Sequence, residues 1–103
     1  MSKAIRIEQT GGPEVMRLVE HDPGAPGPGE LRIRNHAVGV NFIDVYFRTG
    51  AYPMPLPGGV GMEGAGVVES VGDGVDGFAP GDRVAYAAGP PGAYAQVHYM
   101  PAK

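Results

Sequence analysis

Cysteine is absent, so the chain has neither a disulfide framework nor a thiolate to hold a metal. Lysine is nearly absent: Lys3 and Lys103 sit at the two ends. With a formal net charge of −3 and no basic cluster, the composition offers phosphate groups no footing, which argues against nucleic acid and anionic membrane surfaces as partners. No apolar run approaches the roughly 18 residues of a membrane-spanning helix. The opening Met1-Ser-Lys-Ala-Ile-Arg-Ile-Glu lacks the apolar centre of a signal peptide. A cytoplasmic chain with no membrane partner is the expectation. What the sequence has in excess is glycine, 18 residues, and proline, 11. That excess raises the question of disorder. The glycines and prolines punctuate apolar stretches without replacing them, which is the pattern of a compact all-β domain with many tight turns. At 103 residues there is room for one core and one domain.

The order along the chain supports that reading. Residues 3–8 alternate, with Ile5 and Ile7 on one face, as a strand requires. Thr10-Gly-Gly-Pro13 is a turn, and residues 15–20 read as the returning strand of a hairpin. Residues 22–29 hold six Pro or Gly and form a surface loop. The next strand, 31–40, points Leu31 and Ile33 inward and Arg32 and Arg34 outward. It then turns continuously apolar, as if entering the core. Residues 43–48 carry no turn former before Gly50, which predicts a short helix capped by that glycine. Residues 51–61 are a second Pro/Gly loop. Strands are predicted over 66–71, 83–87 and 93–98, with turns at Gly72-Asp-Gly74 and Ala79-Pro-Gly-Asp82 between them. Short strands at turn-marked intervals predict a small barrel or sandwich.

Gly59-Val-Gly-Met-Glu-Gly64 matches the letters of a dinucleotide-binding fingerprint, G-x-G-x-x-G. That fingerprint needs a strand before it and a helix after it, to set pyrophosphate on a helix N-terminus. Here Tyr52-Pro-Met-Pro-Leu-Pro57 precedes it and the β-branched pair Val67-Val68 follows. The glycines therefore read as points where backbone approaches backbone.

A longer window carries more. Gly61-Met62-Glu63, then Gly66, Gly72 and Val75, resembles the signature of the zinc-containing alcohol dehydrogenase superfamily with one change. The family pattern opens Gly-His-Glu, and the His binds the catalytic zinc; the equivalent position is Met62, a weak and soft thioether. Zinc enzymes of this superfamily also place a Cys three residues before an Asp. Here Asn41 stands in that position, in Asn41-Phe-Ile-Asp44. Both changes point to the metal-free branch. The remaining segments resemble that branch in order: Gly11-Gly-Pro-Glu-Val15, Pro26-Gly-Pro-Gly-Glu30, the stretch Gly39 to Pro53, Pro80-Gly-Asp-Arg-Val84 and Gly92-Ala-Tyr-Ala95. Over essentially its whole length the sequence is similar to the zinc-free, zeta-crystallin-like quinone oxidoreductases of the medium-chain dehydrogenase superfamily.

The resemblance implies a GroES-like fold, mainly β: an irregular antiparallel β-barrel with one or two short helices. It implies that residues 1–103 are the catalytic domain of a two-domain enzyme whose Rossmann cofactor domain lies outside this chain. The expected reaction is hydride transfer from NADPH to a quinone or other electron-poor acceptor, without zinc. The chain by itself is then expected to be catalytically silent, a piece of the longer enzyme. A homodimer is the family expectation for the complete protein. By the same resemblance Asn41, Asp44 and Tyr46 are candidates to meet the nicotinamide end of the cofactor, with Tyr46, Tyr52 and Asp44 as candidate catalytic residues.

Plainer readings stand beside these. Asn41 has the chemistry of a helix N-cap and Asp44 of a first-turn carboxylate. Asp44 and Arg48, four apart, have the spacing of a helix-face ion pair. The tyrosines are equally suited to partial burial. Glu63 keeps the family's acidic residue beside the lost ligand, with backbone amides as its expected partners. His21, His36 and His98 lack metal-ligand spacing, Arg32 and Arg34 read as a solvated strand face, and Asp82 ties a turn. Two other functions remain: an enoyl or alkenal reductase of the same branch, and a free-standing barrel serving as a binding or oligomerisation module through the apolar loop 51–61.

Overall fold

The computed structural model describes residues 2–21 and 24–102. Within them the strands are β1 (Lys3–Ile7), β2 (Arg17–Glu20), β3 (Glu30–Gly39), β4 (Gly58–Gly59), β5 (Glu63–Val71), β6 (Arg83–Ala87) and β7 (Val97–Pro101), with one helix, α1 (Phe42–Thr49), between β3 and β4. A single 3-10 turn spans Pro13–Val15. All strand pairing is antiparallel: a three-stranded sheet in the order β2-β1-β4 and a four-stranded sheet in the order β6-β5-β3-β7. This is the mainly-β, GroES-like architecture expected from the sequence. Positions 22 and 23 of the first Pro/Gly loop, and Lys103, lie outside the described residues.

Each sheet covers its own apolar cluster. Under the smaller sheet Ile7, Val15 and Val60 are buried, with Ile5, Met16, Met54 and Tyr94 packed against them. Under the larger sheet the buried side chains are Leu31, Ile33 and Val68. The period-2 alternation of β3 explains the second cluster: Leu31 and Ile33 point in. Arg32 and Arg34 point out, and their Nε atoms bracket the Glu69 carboxylate of β5 at 2.9 and 2.7 Å. The hydrogen bond from Arg32, aided by Arg34, holds Glu69 below the usual carboxylate range.

Residues 93–96 join the two sheets. Ile5 N–H donates to the Tyr94 carbonyl at 2.8 Å, Gln96 N–H to the Lys3 carbonyl at 2.9 Å, and Tyr94 N–H to the Val60 carbonyl at 2.9 Å. From the other sheet, Asn35 N–H donates to the Gln96 carbonyl at 2.8 Å. The Asn35 side-chain amide adds bonds to the carbonyls of Ala93 and Ala95 at 3.2 and 3.0 Å, and its Oδ1 accepts from Tyr86 Oη at 2.9 Å.

Three local expectations are corrected. The last strand was expected at 93–98 and lies at Val97–Pro101, because the backbone of 93–96 serves several partners and belongs to no single ladder. The returning strand of the first hairpin begins at Arg17, since Pro13 starts a 3-10 turn that its fixed φ favours. Residues 37–40 do not enter the core: Val38 is 42% exposed and Val40 82%. The β-bulge between Asn35 and Ala37 re-aims the end of β3, and among the described residues no element buries Val38 or Val40 beyond it.

Candidate functional site

Helix α1 follows β3 directly, and its ends obey its sequence. Asn41 is the extended N-cap residue, and Gly50 closes the helix in the left-handed region at φ 90°. Asn41 N–H donates to Asp44 Oδ2 at 3.1 Å, the returning half of a capping box. Asp44 is 5% exposed, and the same Oδ2 accepts from Tyr94 Oη at 2.5 Å, while Oδ1 has no partner among the described residues. Burial, and then the bond to the Asp44 carboxylate, push the Tyr94 phenol well above the ordinary tyrosine range. Arg48 does not close on Asp44; its Nε donates to the Gly11 carbonyl at 3.2 Å.

The Asn41 side chain turns the other way. Its Nδ2 donates to Glu63 Oε1 at 2.8 Å. Sequence reasoning gave Glu63 backbone amides as partners; in the structure it accepts from this side-chain amide. Asn41 and Glu63, with Ile43, Met62, Ala87 and Ala88, line a recess of about 220 Å³. Asn41 and Met62, which the sequence resemblance sets at the positions of zinc ligands, thus line one recess as an amide and a thioether. Ala88, at the recess wall, holds φ at 65°, a left-handed conformation that costs a non-glycine residue roughly 1–2 kcal/mol. Among the described residues no group of three or more His, Cys, Asp or Glu gathers in metal-binding proximity.

The two tyrosines lie apart from the recess lining, on the outer face of α1 and the loop after it. Tyr46 and Tyr52 stack edge to face with centroids 5.2 Å apart, flanked by Phe42 at 5.4 Å from Tyr46 and Phe47 at 5.7 Å from Tyr52. Tyr46, Tyr52, Phe42 and Ile43 are all exposed. The structure thus separates the four predicted residues by role. Asn41 faces the recess, Tyr46 and Tyr52 form an exposed aromatic shelf, and Asp44 is turned inward as the carboxylate of the helix start. Tyr94, which holds Asp44, escaped sequence reasoning, since nothing in Gly92-Ala-Tyr-Ala95 marks a partner fifty residues away. His98 is buried with Nε2 3.1 Å from the Pro90 carbonyl, and burial lowers its pKa; Asp82 Oδ2 accepts from Ala79 N–H at 2.9 Å and ties its turn.

Gly59–Gly64 is not a nucleotide loop. β4 ends at Gly59, β5 begins at Glu63, and a strand, not a helix, follows the glycines. A Cβ on Gly59 would lie 2.8 Å from the Gly92 Cα, and one on Gly61 would lie 2.5 Å from the Tyr94 ring. These glycines mark close approaches of the chain to itself.

Comparison with known proteins bears on the family and the fold. Residues 27–103 match the model of the alcohol dehydrogenase GroES-like domain. A quinone oxidoreductase of Pseudomonas aeruginosa is 54% identical over 101 residues, covering 97% of this chain and 31% of that protein. A 2-haloacrylate reductase of Burkholderia is 46% identical over 108 aligned positions, covering 100% of this chain and 32% of its own length. The crystal structure of Escherichia coli quinone oxidoreductase complexed with NADPH superposes with a TM-score of 0.93 at 48% identity, over 97% of this chain and 31% of that one. The chain spans about a third of the length of the curated relatives it matches. With sequence and fold in agreement, the chain belongs to the family of alcohol dehydrogenase GroES-like domains, in the form that quinone oxidoreductases carry.

Proposed function

We propose that this chain is the catalytic domain of a metal-independent reductase that uses NADPH to reduce quinones. The observation that carries the reading is the Asn41–Met62–Glu63 recess. An amide, a thioether and one carboxylate make a poor zinc site. They make a serviceable wall for a planar ring that needs one hydrogen-bonding partner. At about 220 Å³ the recess is several times the roughly 30 Å³ share of one water. Asn41 would meet the carboxamide or ribose of the nicotinamide end, keeping one amide hydrogen free beside the one given to Glu63. NADPH, when bound, supplies the hydride. This chain's residues supply orientation and exclude water.

Tyr46 and Tyr52 offer flat apolar faces and hydroxyl groups, which suits a quinone ring and its oxygen. Asp44 acts from behind, fixing the Asn41 backbone through its N–H. The phosphates and adenosine of the cofactor, and the surface of a homodimer, belong to the Rossmann domain of the complete enzyme. The similarity to a 2-haloacrylate reductase supports a second acceptor class, activated alkenes.

The test is NADPH oxidation by the longest native protein that carries this sequence, assayed with quinones and with α,β-unsaturated carbonyls in the presence of a chelator. Quinone turnover that ignores the chelator is expected. Turnover that the chelator abolishes, or that occurs only with alkenes, refutes the reading. The chain alone is expected to show no saturable NADPH fluorescence change at micromolar concentration.

A further inference from the structure

Glu63 stands at an unusual place. Its carboxylate lies over Gly39, its cross-strand partner: a Cβ on Gly39 would come within 2.5 Å of the carboxyl carbon and 2.6 and 2.9 Å of its two oxygens. The missing side chain at 39 is what leaves room for the charge. On one side Glu63 accepts from the Asn41 amide at 2.8 Å and lines the recess of about 220 Å³. On the other it lines a wider trough of about 480 Å³ floored by Ala37, Gly39, Ala65 and Ala85. Glu63 and Ala87 are the residues common to both.

Among the described residues neither hollow has a basic side chain in its lining, and Glu63 is the one charged side chain lining either. The cation of the neighbouring helix, Arg48, is directed to the Gly11 carbonyl. Asp44, the one carboxylate of α1, adds no positive charge. A ligand entering beside Asn41 therefore meets a fixed negative charge and no compensating one.

We infer that Glu63 is a specificity-determining residue: it biases the site toward neutral acceptors and against anionic ones, while holding the Asn41 amide in place. This rests on the proposed reading, with the acceptor ring seated beside the nicotinamide at the recess, and it separates neutral acceptors from anionic ones. A quinone is neutral, whereas a haloacrylate carries a carboxylate at neutral pH. An anion about 6 Å from Glu63, at an effective dielectric between 40 and 80, is disfavoured about three- to tenfold.

The experiment uses this chain, isotopically labelled, titrated with 1,4-naphthoquinone and with its 2-sulfonate. The amide resonances of Asn41, Met62, Glu63 and Ala87 report binding. The neutral ring is expected to bind about three- to tenfold more tightly in low salt. The gap is expected to narrow as salt is raised to about 0.5 M. It is also expected to close in Glu63→Gln, which keeps an acceptor for Asn41 without the charge. A gap that survives both salt and Glu63→Gln is steric, and it overturns the role of Glu63 while leaving quinone binding intact. Equal binding of the two rings overturns it in the same way. If neither ring moves these resonances, the quinone reading of the recess fails, and the inference fails with it. The salt titration on the unaltered chain stands even if Glu63→Gln does not fold.

Discussion

Replacing Tyr94 with Phe removes one oxygen and tests the inward side of the site. The ring packs against Ile7, Val15 and Val60, and Phe keeps that contact. What is lost is the 2.5 Å bond to Asp44 Oδ2. Asp44 is 5% exposed and its Oδ1 already lacks a partner among the described residues, so the carboxylate would be left with the Asn41 N–H alone. A hydrogen bond to a charged group contributes about 1.5–3 kcal/mol. For a domain near this size, about 2 kcal/mol is about 10 °C in Tm. Urea unfolding at neutral pH should show that loss as a lower midpoint with an unchanged slope.

Alkaline pH supplies a second signature. Burial and Asp44 raise the folded-state pKa of Tyr94. A raised pKa contributes stability that is complete below the unfolded value, about 10, and is lost as pH climbs through and beyond it. The difference between the parent chain and Tyr94→Phe should therefore be largest near neutrality and shrink above about pH 10. A loss below about 0.5 kcal/mol, or a difference that stays constant from neutral to strongly alkaline pH, would refute the account of Tyr94 as the donor that holds Asp44.

Two other perturbations have equally definite outcomes. Gly66→Ala should destabilise by more than about 2 kcal/mol, because its Cβ would fall 2.0 Å from the Arg34 carbonyl oxygen, which is backbone and cannot swing aside. Gly74→Ala has nothing within 4 Å and only a φ of +80° to strain it, so it should cost about 1 kcal/mol; equal losses at the two sites in chemical denaturation would contradict the β3–β5 register. His98 titrates the other way from Tyr94: burial lowers its folded pKa, so its contribution is complete above about 6.5 and is lost as pH falls below that value. His98→Gln should flatten the fall in urea midpoint on acidification, and identical slopes in parent and variant would show that His98 is not the group responsible.

The sequence exposes most of the frame for physical reasons that can be named. Alternation in Leu31–Arg34 announces a half-buried strand because a strand has two faces. Gly50 ends the helix because few other residues hold a left-handed φ. The exchange of His for Met at 62 and of Cys for Asn at 41 is visible as chemistry. Other features are not written locally. The exposure of Val38 and Val40 depends on a bulge and on what fails to pack above it, and neither leaves a mark in an apolar run. The Asn41–Glu63 and Tyr94–Asp44 bonds join residues 22 and 50 positions apart. A one-dimensional reading finds the members of such pairs and cannot find the pairing. Asp44 shows this best: its neighbours in sequence give both an active-site role and a helix-start role, and none of them points to its bond with a tyrosine fifty residues away.

The segment 93–96 also governs how this domain comes apart. Each sheet covers a cluster of three buried apolar side chains with partly buried neighbours packed against it. The carbonyls of 93, 94, 95 and 96 and the amides of 94 and 96 are spoken for by β1, by Asn35 and by Val60. Melting is therefore expected to be shared: the seam cannot open under one sheet without removing the other's bonds. Amide exchange at Ile5, Asn35, Tyr94 and Gln96 should proceed at one common rate set by global unfolding, as a zip that releases both edges of a garment at once.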